Sequence, residues 1–140
     1  MSMIRSFIAV VVAFAGISAA SAQPAPTTNY TSFEAEPGKS MQIAFYARAN
    51  NDCSPSKLPV VRVVESPTLG TLTVRPSDVT TSKVANCPNL RVPGQLVLYT
   101  ARDKAEGNDH VMYSVTFPDG QIMLYDVTVH VKELPKENKL

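Results

Sequence analysis

The stretch Asp109-His-Val111-Met-Tyr113-Ser-Val115-Thr-Phe117-Pro118-Asp119-Gly120-Gln121-Ile-Met123-Leu-Tyr125-Asp-Val127-Thr-Val129-His-Val131-Lys132 alternates apolar and polar residues on both sides of a Pro-Asp-Gly turn. Period-two alternation is the pattern of a half-buried β-strand, because successive side chains point to opposite faces. The turn fixes how the two halves pair. Residues opposite one another in an antiparallel pair share a face, so paired numbers here must sum to an even value. A two-residue Asp119-Gly120 loop would set apolar residues against polar ones. A three-residue Pro118-Asp119-Gly120 loop pairs Phe117 with Gln121 and keeps Val111, Tyr113, Val115 and Phe117 on the same side as Met123, Tyr125, Val127, Val129 and Val131. Pro suits the first position of a type I turn and Gly the left-handed position that follows, so turn chemistry and alternation select one register.

Working outward, other runs rich in β-branched and aromatic residues lie between clusters of Pro, Gly, Asn and Asp. Expected strands cover 30–36, 40–48, 59–65, 70–75, 95–101, 109–117 and 121–132. In 40–48, Met41, Ile43 and Phe45 share a face and are expected in the core. No stretch of useful length shows helical periodicity. Seven short strands predict an all-β fold, an immunoglobulin-like antiparallel β-sandwich. The long connection 76–94 is a loop that hides another strand, over 79–84, or carries function.

The chain opens with Arg5 and the uninterrupted apolar run 7–17, followed by small residues at Ala20 and Ala22. These are the parts of a cleavable signal peptide, here 1–22, with the cut after Ala22. The apolar run is shorter than the roughly 20 residues that span a bilayer. The expectation is therefore export to the periplasm or the medium, with no stable membrane insertion after cleavage. The domain plan that follows is a flexible proline-rich leader at 23–28, one domain at 29–134 and a tail at 135–140. Loss of Arg5 leaves the 12 acidic residues matched by as many basic ones. Such a balance provides no basic field to recruit nucleic acid.

Cys53 and Cys87 are the two cysteines, and in an oxidising compartment they are expected to form a disulfide. In an immunoglobulin-like order the loops that carry them gather at one end of the sandwich. Closing that loop stabilises the fold by about 4 kcal/mol in the chain-entropy account. The same end holds Asn50, Asn51, Asp52, Lys57, Asn86, Asn89 and Arg91, a polar set that forms the candidate binding surface, since loops on a rigid scaffold commonly carry recognition.

Residues 67–132 resemble the bacterial immunoglobulin-like and cadherin-like repeats of surface and adhesin proteins. The resemblance rests on Pro67-Thr-Leu-Gly70-Thr-Leu-Thr-Val74, Leu98-Tyr99-Thr100, Gly107-Asn-Asp109-His-Val111-Met-Tyr113-Ser-Val115, Asp119-Gly120 and Val127-Thr-Val129. It implies a sandwich fold with an adhesive or binding role, in a single copy. Gly107 and Asp109 are then expected to shape the corner before 109–117, and Tyr113 to pack inward with its hydroxyl on a backbone partner.

No GxSxG, HExxH, phosphate-binding glycine loop or EF-hand pattern occurs, and no cofactor is expected. Asp103, Glu106, Asn108 and Asp109 offer oxygens that suit calcium less well than a capping role. His110 faces Thr128 in the derived register, with His130 diagonal to it on the outer face, and Met112 is close by. Two such imidazoles are near enough to share a metal. The expected function is a non-enzymatic exported module that binds a protein or an envelope component. The alternative is periplasmic metal handling by His110 and His130. A small hydrolase or inhibitor whose site leaves no sequence mark is a third class. The lack of Trp counts against sugar binding.

Overall fold

A computed structural model describes residues 19–22 and 24–133. The signal peptide expected over 1–22 and the tail at 135–140 lie almost wholly outside the described residues. Among the described residues no helix is long and apolar enough to cross a membrane. They contain strands β1 (Thr27–Ala35), β2 (Ser40–Ala47), β3 (Val60–Glu65), β4 (Gly70–Thr81), β5 (Leu90–Ala101), β6 (Gly107–Thr116) and β7 (Ile122–Val131). Two sheets form, ordered β1-β7-β6-β3 and β2-β5-β4. They pack as a β-sandwich, the fold class expected from the alternation.

The β6–β7 hairpin has the derived register, with His110 opposite Thr128 and Tyr113 opposite Tyr125. The Phe117 amide donates to the Gln121 carbonyl at 2.9 Å, and the Gly120 amide to the Phe117 carbonyl at 2.9 Å. Gly120 has φ +87°, the left-handed position assigned to it. Val111, Tyr113, Val115, Phe117, Val127, Val129 and Val131 are all buried, and from the facing sheet come Ile43, Val97, Tyr99 and Ala101. Each fully buried valine contributes about 1.5 kcal/mol or more of apolar transfer free energy. The sheets are also joined by a polar contact, since the hydroxyls of Tyr46 and Tyr113 lie 2.8 Å apart. Tyr113 thus finds a side-chain partner and not the backbone one expected. Tyr125 packs on both rings, with centroids 4.9 Å from Tyr46 and 5.3 Å from Tyr113.

Four expectations need correction. The first concerns β2, where a register shift between Gln42 and Ala44 reverses the alternation beyond Ile43. Ala44 and Tyr46 then pack on the core with Met41, and Phe45 moves to the outer face. Its ring lies against Gly94, where any side chain would collide with it; a glycine within a strand often marks such a close approach.

The second concerns the connection 76–94, which is mostly strand. The β4–β5 pairing runs unbroken from Gly70↔Ala101 to Thr81↔Leu90, so 79–81 of the strand expected at 79–84 are the far end of β4 and 82–84 belong to the turn that follows. Pro76 is tolerated because β4 is an edge strand and proline lacks only a donor that such an edge can spare. In the third, β1 begins at Thr27, inside the expected leader 23–28. The fourth is that β1 pairs parallel to β7, so the four-stranded sheet is not antiparallel throughout. A chain that crosses from one sheet to the other between β1 and β2 is free of the hairpin constraint that would force antiparallel pairing.

Candidate functional site

Cys53 and Cys87 are bonded, with Cα atoms 5.6 Å apart, within the range that a disulfide spans. The bond ties the 48–59 connection to the 82–89 turn at the tip of the β4–β5 hairpin. The 118–120 turn lies at the same end. Arg48 donates from Nη2 to Gln121 Oε1 at 2.7 Å and its guanidinium sits 3.8 Å above the Phe117 ring, a cation–π contact.

Most of the expected binding set at this end shapes its own loops. Asn50 donates to Ser54 Oγ at 3.0 Å and to the Pro55 carbonyl at 3.3 Å. Asp52 accepts from the Ser54 hydroxyl at 2.6 Å and the Ser54 amide at 3.1 Å, and these bonds lower its pKa, the hydroxyl most. Asn86 and Asn89 adopt φ of 61° and 53°, a left-handed conformation that asparagine tolerates better than most residues. Arg91 pairs with Asp78 at 2.6 Å on the exposed hairpin. Asn51 and Lys57 are exposed. These side chains do not converge on a common point.

The histidines lie on the outer face of the four-stranded sheet, in the expected diagonal relation. Each has its own neighbours. His110 Nδ1 is 3.1 Å from Glu65 Oε1, and its Nε2 is 2.6 Å from Asp126 Oδ1. Hydrogen bonds to Glu65 first and Asp126 second raise its pKa. Since the carboxylates sit on opposite ring nitrogens, the imidazole clamps β3 to β6 and β7. His130 Nδ1 meets Asn108 Oδ1 at 2.7 Å. Among the described residues no group of three or more His, Cys, Asp and Glu is placed to hold a metal ion.

Asp109 plays the capping part. Its side chain lies among the buried groups at 2% exposure. Oδ1 accepts from the Thr68 amide at 2.8 Å and the His110 amide at 2.9 Å, and Oδ2 from the Leu69 amide at 2.9 Å and the Tyr99 hydroxyl at 2.7 Å. Burial is the largest influence and would raise its pKa, yet the hydrogen bonds from Thr68, Tyr99, Leu69 and His110 together outweigh it and hold the carboxyl below its usual range. Tyr99 responds in the opposite sense, pushed up by burial and then by the carboxylate it faces. With both oxygens occupied, Asp109 has little left for a cation. Asn108 is turned to His130 and Asp103 lies against the Gly38 turn, so the oxygens read as calcium candidates diverge.

The sequence reading missed the outer face of the four-stranded sheet. Val60, Thr116 and Ile122 form one row across β3, β6 and β7, and Tyr30, Asp126, Met112 and Glu65 form another across all four strands. Tyr30 is 79% exposed, Val60 48% and Ile122 47%. Beside this face, Pro24, Pro26, Thr27, Gly120, Gln121 and Ile122 border an open groove of about 500 Å³. One signal was present in the sequence, since β3 carries valines at both even and odd positions and so cannot bury them all on one side.

The fold and these surfaces define a β-sandwich with a disulfide-tied end, a carboxylate-capped end and a partly apolar sheet face. No known protein family, curated protein or solved structure matches the chain.

Proposed function

We propose that this chain is an exported, non-enzymatic binding domain, immunoglobulin-like in build, that engages a protein or another cell-envelope component through the outer face of its four-stranded sheet. The observation that carries the reading is that solvent-facing Tyr30, Val60 and Ile122 lie on one face of a rigid sheet, Val60 and Ile122 in one row and Tyr30 two rows away, with Thr28, Leu124, Ser114 and Arg62 in the row between. Apolar groups collected on one face, with polar rows beside them, are the usual make-up of a recognition surface, and tyrosine is among the residues that contribute most at interfaces. The signal-peptide pattern at 1–22 supports the extracytoplasmic setting, and the adhesin-like motifs agree with a binding role. The disulfide-end residues support the reading less well, because most of them are engaged within their own loops. Metal handling by His110 and His130 has no specific observation in its favour.

The test compares capture from envelope extract by three proteins: the unaltered chain, a Tyr30→Ser, Ile122→Ser variant, and an Asn51→Ala, Lys57→Ala variant. The face variant is expected to lose its partner while the loop variant keeps it. The reverse pattern would return the site to the disulfide end and refute the sheet-face reading.

A further inference from the structure

Strand β3 (Val60–Glu65) is the outer edge of the four-stranded sheet and hydrogen-bonds on one side only, to β6. Along its other side the strand has no partner among the described residues. A row of unpaired N–H and C=O groups of this kind is a template for another strand. Two of the other three edges are better protected, since Pro76 interrupts the donors of β4 and β1 carries Glu34 facing out, while β2 has a bulge as β3 does. On β3, Val63 and Val64 are 45% and 60% exposed, and the strand contains neither proline nor lysine.

We infer that β3 pairs antiparallel with β3 of a second copy, about a two-fold axis at Val63, so that two four-stranded sheets become one continuous sheet. The choice of a second copy follows from charge. β3 has one basic residue, Arg62, and one acidic residue, Glu65. Arg62 pairs with Ser114 and Glu65 with Met112, and both β6 residues face outward, so both charges lie on the outer face although their numbers differ in parity. The register shift between Val63 and Glu65 brings this about by making Val64 the extra residue of a bulge. With the axis at Val63, Arg62 of each copy lies across from Glu65 of the other. The same favourable cross-strand pair therefore forms twice, which is the self-complementarity that a two-fold interface requires. Without the bulge, Glu65 would point inward and neither pair would form.

The inference does not depend on the binding face proposed above, and different residues test it. Light scattering coupled to gel filtration, on the disulfide-intact chain over a wide concentration range, is expected to show a reversible dimer. Val63→Lys sets two ammonium groups against each other at the axis and is expected to abolish it. Arg62→Glu alone, and Glu65→Arg alone, replace two attractive pairs with two repulsive ones and are expected to weaken the dimer by about tenfold or more. Mixing these two variants restores both attractive pairs, so a heterodimer is expected from chains that do not pair with themselves. That rescue also shows that both variants are folded. Tyr30→Ser, Ile122→Ser is expected to dimerise normally. A chain that stays monomeric at every concentration, a dimer indifferent to Val63→Lys, or a mixture without rescue would overturn the inference while leaving the face reading untouched.

Discussion

The two ends of the sandwich are fastened by different chemistry. At one end the 48–59 and 82–89 connections are joined by the Cys53–Cys87 bond, and the side chains around it are largely exposed. At the other, the 66–69 connection is joined to β5 and β6 by the buried carboxylate of Asp109. Backbone bonds assist there, from Arg102 to Leu69 at 2.9 Å and from Gly38 to Ala101 at 3.1 Å. The covalent tie needs little packing around it, because it acts largely by restricting the unfolded chain. The carboxylate tie works only when folded, since its strength comes from donors gathered in a place that water does not reach. One end therefore answers to redox conditions and the other to pH.

The largest separation of the two comes from removing the bond. Cys53→Ala with Cys87→Ala is expected to lower stability by about 4 kcal/mol in urea unfolding. Amide exchange should rise across 78–93 and stay unchanged at Thr68, Leu69 and Tyr99. Loss of protection at both ends would show that the ends are coupled.

Asp109→Ala ranks next. It leaves buried donors from Thr68, Leu69, Tyr99 and His110 without their acceptor, and an expected cost on the order of 3 kcal/mol follows from losing hydrogen bonds to a charged group. The pH dependence has a definite sign. The carboxyl's folded pKa lies below its ordinary 3.8, so its stabilisation is present above about that pH and is lost as pH falls through the depressed value. An acid unfolding curve of the disulfide-intact chain should lose that component in Asp109→Ala.

The smallest expected effect is on the sheet face between the two ends. The folded pKa of His110 lies above its ordinary 6.5. Its contribution is complete below about that pH and disappears as pH rises through the raised value. His110→Gln should flatten the corresponding part of the stability profile, and NMR titration of the His110 ring should place its midpoint above the ordinary 6.5. Because the clamp is well exposed, solvent screens it and the change is slight.

How far the sequence could be read depended on whether local and distant signals agreed. The β6–β7 register was legible because Pro118-Asp119-Gly120 and the alternation on both sides led to the same pairing. Phe45 was misread because Met41, Ile43 and Phe45 alternate as well as Ala44 and Tyr46 do, and the choice between them lies with a bulge set by β5. The β4–β5 extension was hidden by Pro76, Pro93 and Gly94, which read as strand breakers until β4 is known to be an edge. The disulfide needed only the expected compartment and the cysteine count. Asp109 was placed at its corner by Gly107-Asn-Asp, but its partners Thr68 and Leu69 are 41 and 40 residues away, a distance that no local pattern crosses. The exposed face was the least legible part, because deciding which valines of β3 meet the core requires the register against β6.

The parallel pairing of β1 with β7, from Thr27↔Met123 to Ala35↔Val131, has a mechanical consequence. The chain enters β1 at the disulfide pole and leaves β7 at the carboxylate pole, so tension between residues 27 and 131 runs along these neighbouring strands in opposite senses. Such a load shears the pair, and its hydrogen bonds must yield together where a hairpin would peel open bond by bond. A domain threaded in this way resists being drawn out by its ends, whatever its equilibrium stability in solution.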